Sequence, residues 1–346
     1  MTGDATVQRE ATPRVTLVVT PRERFGVARE SLESIYAQSD IPFDLVYVDG
    51  KSPADLSRWI ADQARARGFR HIVEDRYLSP NGARNIGLRA AATDYVVFID
   101  NDVVCSPGWL SRLVATADES GADVVAPLTC QGLPAHNQIH QAGAIFTHDL
   151  EAFLATPPGK RIMIEEMHLQ GEPVSAAPAG PVETQCCEFH CVLVRRNVFD
   201  RIGPLDEEML ATKEHVDFCL SVLASGGKVL LEPRSVVTYL FPNRARPLTS
   251  EDMPYFLVRW SDAWQRRSID RLQQKWGLEP DQPYLAERLR HTRWRYEEGL
   301  VKPIVKKVPF TKDSRFVWRV VRKAVSTVVY ARGDLLTRKA ISAETR

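Results

Sequence analysis

Five short runs rich in Val, Ile and Tyr recur through the first 130 residues: VTLVV (15–19), DLVYVD (44–49), RHIVE (70–74), YVVFI (95–99) and DVVAP (123–127). Between them lie ARESLESIYAQ, ADLSRWIADQARARG, NGARNIGLRAAA and GWLSRLVATADESG, each with apolar residues at helical spacing and Asp, Ser or Asn near its start. This alternation constrains the chain more than any other feature. Strands that follow one another through helices pair in parallel, because only a connection of helical length allows the crossover. Near-continuous apolar runs further predict strands buried on both faces. The expected fold is α/β, a mainly parallel sheet flanked by helices, whose ligands sit beyond the carboxyl ends of the strands.

Three strand ends therefore matter: Thr20-Pro21-Arg22-Glu23, Asp49-Gly50-Lys51-Ser52 and Asp100-Asn101-Asp102. For Asp49, capping the following loop competes with ligand binding. Two phosphate motifs fail. No G-x-G-x-x-G follows the first strand, and although Gly50-Lys51-Ser52 mimics the end of a P-loop, Leu45 stands where its first Gly belongs. Asp100 and Asp102 are different in kind, since like charges this close raise one another's pKa unless a cation lies beside them. Two carboxylates at the mouth of a parallel sheet suit Mg²⁺ or Mn²⁺, with open positions left for the oxygens of a diphosphate.

With 346 residues, 44% hydrophobic and 26% charged, the chain has the composition of an ordinary globular protein with one large α/β domain and an extension, or two domains. A formal charge of +1 argues against nucleic acid as a partner. That charge is unevenly spread: residues 302–346 hold twelve Lys/Arg against three Asp/Glu. The opening MTGDATVQREATPR has no apolar core of a secretory signal, and no run of about 18 apolar residues occurs, so a cytoplasmic enzyme with six reduced cysteines is expected.

The order and spacing of several blocks over roughly residues 14–240 resemble the family 2 glycosyltransferases of the GT-A fold. VTLVVTPRERFGVARESLESIYAQ is similar to their opening strand and helix, VYVDGKS to their V-D-x-x-S turn, and NGARNIGLRAAATDYVVFIDNDV to their A-R-N-x-G helix and D-x-D strand. CVLVRRNVFDRIGPLDEEMLATKEHVDFCLSVLASGGKVLLEP is similar to their later block, an R-R strand, a G-x-(L/F)-D-E turn and an E-D-x-D-(L/F) helix. The resemblance implies a flexible N-terminus over 1–13, a GT-A domain over 14–245 with a nucleotide-sugar half (14–130) and an acceptor half (131–245), and a helical extension over 246–346. It implies that Asp49, Thr20, Glu23, Arg84, Asn85 and Asp100 bind a nucleotide-diphosphate sugar, a UDP-sugar first, and that Asp102 with Asp100 holds Mn²⁺ or Mg²⁺. Glu23 stands where many relatives carry Asn.

Two departures from the family pattern bear on mechanism. Its acidic pair, of which the second member usually serves as catalytic base, falls on Glu214 and His215. Either can accept a proton, a neutral imidazole with an ordinary pKa of about 6.5 doing so well near neutral pH. Asp217, in the same helix, fits a supporting role or a chemical one. The family's metal-binding His at the end of LLEPRSVVTY is here Tyr239, a poor ligand, and His140 in QIHQAG is available as a substitute or as a surface residue. CCEFHC (186–191) offers zinc-type ligands in Cys186, Cys187, His190 and Cys191, but not the spaced pairs of a structural zinc site. By the resemblance it is a buried strand lining the acceptor cavity.

Beyond residue 245, YFLVRWSDAWQRRSIDRLQQKWGL predicts one or two helices packed on the catalytic domain. In SRFVWRVVRKAVSTVV, Val317, Val321, Ala324 and Val328 share a helical face and Arg315, Arg319, Arg322 and Lys323 collect elsewhere. Such a helix over 314–331 either packs with a solvated basic face or makes peripheral contact with the inner membrane surface. The function expected is metal-dependent, inverting transfer of a sugar to an acceptor hydroxyl of a glycan or glycolipid in polysaccharide or glycoconjugate synthesis. The alternatives are a retaining transferase of the same fold and a catalytically degenerate domain that binds nucleotide-sugar or glycan as a scaffold.

Overall fold

A computed structural model describes residues 12–146, 148–241, 248–280, 283–309, 311 and 314–344, with the side chains of 283–286 and 341–344 outside the description. Most of the N-terminal stretch expected to be flexible, 1–13, lies outside the described residues. The strands are β1 (Val15–Thr20), β2 (Asp44–Gly50), β3 (Arg70–Glu74), β4 (Tyr95–Asp100), β5 (Val103–Cys105), β6 (Val124–Gln131), β7 (Ile139–Gln141), β8 (Ala144–Phe146), β9 (Glu165–Met167), β10 (Val182–Glu183), β11 (Cys191–Arg195) and β12 (Val229–Tyr239). The helices are α1 (Ala28–Gln38), α2 (Ala54–Arg67), α3 (Pro80–Ala90), α4 (Trp109–Ser120), α5 (Leu150–Ala155), α6 (Val198–Ile202), α7 (Glu214–Ala224), α8 (Met253–Arg259), α9 (Asp262–Trp276), α10 (Pro283–Tyr296), α11 (Lys302–Val305) and α12 (Arg315–Glu344).

All five predicted strands and the four helices between them form. The sheet runs β10-β12-β6-β11-β4-β1-β2-β3, with β5 added to β12 and β7 to β6, while β8 and β9 pair separately. β1 lies parallel between β2 and β4, and β11 is inserted antiparallel between β4 and β6. One core, holding Leu17, Tyr47, Val97 and Leu193, is covered by α1, α2 and α4. The other holds Val18, Phe98, Val192 and residues of α6 and α7. Burial on both faces fails at β3, where Val73 is 60% exposed, because β3 is the sheet's edge and lacks a neighbour on one side.

The two-residue period of β4 decides where its last residue points. Tyr95, Val97 and Ile99 face the first core, and Val96 and Phe98 the second, so Asp100 emerges on the second face, toward α3 and α7. The parallel register sets Thr20 beside it. A close approach of α3 to β1 completes the arrangement. At Gly87 a Cβ would lie 2.1 Å from Val18 Cγ1, so only glycine lets α3 lie this near the sheet.

The predicted helical extension begins with two helices, α8 and α9, which share the first core with the sheet through Tyr255, Val258 and Trp264. Tyr255 donates its hydroxyl to the Leu78 carbonyl at 2.7 Å. From the end of α9, Lys275 Nζ and Trp276 Nε1 each donate to Asp217 of α7 at 2.8 Å. Helix α12 packs on α8 and on Tyr296, but through Val325, Val329 and Leu336 and not through the predicted stripe. Val317 and Val321 are half-buried, Ala324 is exposed and Val328 is 66% exposed. The helix rotates its packed side to residues that reach α8, which leaves Phe316, Val320, Val328 and Leu335 facing outward.

Gly87→Ala should destabilise the fold by about 1–3 kcal/mol, the usual cost of overpacking a close-packed contact. A lower denaturant midpoint at unchanged slope checks this; an unchanged midpoint would mean that α3 can move away freely.

Candidate active site

At the carboxyl end of β4, Asp100 is surrounded by partners. Thr20 Oγ1 donates to its Oδ1 at 3.2 Å, and Arg84 Nη2 of α3 reaches the same oxygen at 3.5 Å. Arg22 Nε and His190 Nδ1 lie 3.3 Å and 3.2 Å from Oδ2. Burial alone would push this carboxyl up, but Arg22, His190 and Arg84 together hold it down at about 2. Asp102 fares differently. Burial pushes it up, the pull of Arg22 offsets this only in part, and the charge of Asp100 adds to the rise, which ends at about 6.

The residues present fit a divalent ion. Asp102 Oδ1 is buried and receives no hydrogen bond, which costs free energy unless a cation satisfies it, and Asp100 Oδ2, also buried, is held only by its two ion pairs. Asp100, Asp102 and His190 each offer a ligand atom within 4.8 Å of the others. The family position expected to carry a metal-binding His, Tyr239, lies at the end of β12, with its ring stacked on His190 at 4.2 Å between centroids. His140 is half-buried and not a surface residue. Its Nε2 meets Glu188 at 2.8 Å and its Nδ1 meets Gln131 at 3.2 Å.

Arg84 joins this site to α7. It is fully buried, its Nη1 lies 3.7 Å from Glu214 Oε1, and its guanidinium rests over the Phe189 ring at 4.1 Å. Burial would raise the Glu214 carboxyl, yet the charges of Arg84, Arg259, His215 and Arg22 together hold it below the usual carboxylate range. His215, the next residue, turns away and meets both carboxylate oxygens of Glu165 in β9 at 3.1 Å. Burial would lower its pKa, but the charge of Glu165 raises it above the ordinary 6.5. The helical rotation between adjacent residues thus separates the two base candidates, Glu214 facing Arg84 and Asp100, His215 facing Glu165 and Lys213.

Other expected site residues are held by the fold. Asp49 accepts from the Ser52 N–H at 2.9 Å and the Ser57 hydroxyl at 2.6 Å, and meets His71 at 3.2 Å, so its loop-capping role is realised. Asn85 is spent on the 205–207 turn, bonding Leu205 through both backbone groups and Glu207 Oε1. Asp217 is taken up by Lys275 and Trp276. Glu23 faces the extension: Trp260 Nε1 donates to it at 2.7 Å and Arg259 pairs with it at 3.1 Å. The CCEFHC ligands do not converge. Cys186 approaches Glu165, Cys187 approaches Cys219 at 4.0 Å, His190 faces Asp100, and Cys191 enters the opposite core. Arg22, Glu165 and Glu188 are site residues that sequence reasoning missed. Arg22 alone carried a signal, as a cation at a strand end.

The profile described as "Glycosyl transferase family 2" matches residues 16–203. "Succinoglycan biosynthesis protein ExoW" of Rhizobium meliloti (strain 1021) is 24% identical over 316 residues, covering 90% of this chain and 95% of that protein. "Uncharacterized protein y4gI" of Sinorhizobium fredii (strain NBRC 101917 / NGR234) is 25% identical over 278 residues, 77% of this chain, which spans only 28% of that protein's length. Among solved structures, the crystal structure of GalNAc-T7 with UDP, GalNAc and Mn2+ superposes with a TM-score of 0.53 at 15% identity, covering 87% of this chain and 59% of that one. The curled, mostly parallel sheet with its flanking helices is thus the GT-A fold. With more than half its length matched by that profile, the chain belongs to glycosyltransferase family 2.

Proposed function

We propose that the protein transfers a sugar from a nucleoside-diphosphate sugar, a UDP-sugar first, to an acceptor hydroxyl in polysaccharide or glycoconjugate synthesis. The observation that carries this reading is the pair of buried carboxylates, Asp100 and Asp102, at the mouth of the parallel strands beside Arg22 and Arg84, with Asp102 Oδ1 left without a hydrogen-bond donor. ExoW, by its name a protein of succinoglycan biosynthesis, supports the product class, and the UDP and Mn2+ of the GalNAc-T7 structure support the donor and ion. Asp102 and Asp100 would hold Mn²⁺ or Mg²⁺, which when bound would supply positive charge for the leaving diphosphate.

Arg22, whose side chain keeps 12% exposure, faces the diphosphate from the β1 loop. Arg84 fixes Asp100 and Glu214 relative to each other, and Thr20 holds Asp100 from the neighbouring strand. Asp49 orders the turn that bounds the nucleoside side of the mouth. Glu214 is the base. It takes the acceptor's proton as the new bond to the anomeric carbon forms and the bond to the diphosphate oxygen breaks, a single displacement with inversion. His215 turns its Nε2 to both carboxylate oxygens of Glu165, away from Arg84, and orders the β9 side of the site instead. Incubating the protein with a panel of nucleotide-sugars and Mn²⁺ tests the activity through slow donor hydrolysis, and the product's anomeric NMR signal tests inversion. No hydrolysis of any donor would favour the scaffold alternative.

Among the described residues no helix is long and apolar enough to cross a membrane. We propose peripheral contact through α12, supported by its outward Phe316, Val320 and Val328 among basic residues. Attraction of about 1 kcal/mol per basic residue at an anionic surface would add to apolar insertion.

Glu214→Gln should lower kcat by about 10²–10⁴-fold with donor affinity little changed, while His215→Gln keeps most turnover. The pH profile gives an independent check. Because the Glu214 pKa is lowered, its carboxylate persists below the ordinary 4.5 and sets no acid limb between pH 8 and 6 at saturating Mn²⁺. A fall in kcat centred above pH 6.5, absent in His215→Gln, would move the base to His215. In co-sedimentation, the full chain should pellet with anionic liposomes at low salt and the triple variant Phe316→Ser, Val320→Ser, Val328→Ser should pellet less; equal pelleting would exclude this face.

A further inference from the structure

The two carboxylates of the D-x-D strand lack, in this chain, a histidine at the end of β12. We propose that His190 is the third protein ligand of the divalent ion, with Glu188 and His140 orienting it; this rests on the metal-dependent reading above. The sheet itself delivers the residue. β11 pairs antiparallel with β4 so that Cys191 lies opposite Ile99, and the Asp100 N–H donates to the His190 carbonyl at 3.0 Å. His190 shares parity with Val192 and Val194, which face the second core, so its ring emerges on the same face as Asp100.

Three buried ligand atoms there make no hydrogen bond: Asp100 Oδ2, Asp102 Oδ1 and His190 Nδ1. Asp102 Oδ1 bears the full cost of an unsatisfied buried polar group, the other two are held only by ion pairs, and one cation would satisfy all three. His190 Nδ1 and Asp100 Oδ2 stand 3.2 Å apart, an ion pair while the imidazole carries both protons, and the metal ion would take the place of the Nδ1 proton. That separation matches the edge of an octahedron with bonds of about 2.1 Å, which is about 3 Å. Arg22 Nε, 3.3 Å from the same oxygen, makes no hydrogen bond to it either, so Oδ2 keeps its lone pairs.

The far side of the ring is held as a metal-bound histidine should be. His190 Nε2 lies 3.1 Å from Glu188 Oε2, which accepts its proton and leaves Nδ1 as the ligand. His140 Nε2 meets the same Glu188 oxygen at 2.8 Å and is itself held by Gln131, fixing the carboxylate. Tyr239 stacks on the imidazole with 13° between ring planes. The tyrosine thus supports the plane of a histidine that arrives from another strand.

The test titrates Mn²⁺ into the full chain, reads free Mn²⁺ by EPR, and reads the bound ion by electron spin-echo envelope modulation, which detects a directly coordinated imidazole nitrogen. The expected result is a bound Mn²⁺ with nitrogen modulation that changes on ¹⁵N-histidine labelling and disappears in His190→Gln, with affinity at least about 10-fold weaker. His190→Asp should restore affinity through oxygen without the nitrogen signal. Glu188→Gln should weaken binding by about 10–100-fold, and His140→Ala should keep the nitrogen signal. Mn²⁺ bound without nitrogen modulation but weakened by Asp102→Ala would overturn His190 and leave the two-carboxylate site standing. A nitrogen signal that survives Asp102→Ala would place the ion between His140, Glu188 and His190 and overturn the proposal. No binding at millimolar Mn²⁺ would overturn the metal reading and this inference together.

Discussion

Everything in the active site is arranged around the buried carboxylate of Asp100. A charge with 1% exposure is tolerable only when compensated, and here the compensation comes from four residues on three separate pieces of chain: Thr20 and Arg22 at the end of β1, Arg84 on α3, and His190 before β11. Each of these elements must reach its place before the charge can be buried. The close approach of α3 to β1 at Gly87 and the insertion of β11 beside β4 are in this sense requirements of one carboxylate.

The consequence for neighbouring groups is a division of labour. Arg84 is drawn between Asp100 and Glu214, which ties the first turn of α7 to the end of β4 and sets both carboxylates in the ionised state. Asp102, two residues past the paired position, has no such partner among the described residues and is the less compensated of the two. Two acids two residues apart therefore differ in character because only one of them stands in register with the strands that supply its cations.

Much of the half built on β1 to β4 is legible in the sequence, since parallel strands buried on both faces leave continuous apolar runs and a strand end places its carboxylate without further information. Asp100 and Asp102 were visible for this reason. The grouping of His190 with Asp100 was not, because it depends on the antiparallel register of β11, set across some ninety residues of chain. CCEFHC drew attention as zinc-type ligands, yet the alternation of a strand and the turn before it send its members to different places. Asn85 and Asp217 look like site residues in a linear motif and are consumed by packing, a distinction that only their partners Leu205, Glu207, Lys275 and Trp276 reveal.

The joint at Glu23 carries an evolutionary corollary. Its carboxylate compensates Arg259, a residue 3% exposed, and accepts the indole N–H of Trp260, so the loop after β1 and the end of α8 share a single buried charge balance. A relative with asparagine at this position would keep a hydrogen-bond acceptor for the indole but strand the guanidinium. The two positions are therefore free to drift only as a pair, and covariation between them across relatives would mark which members of the family fasten their C-terminal helices to the loop after β1 in this way.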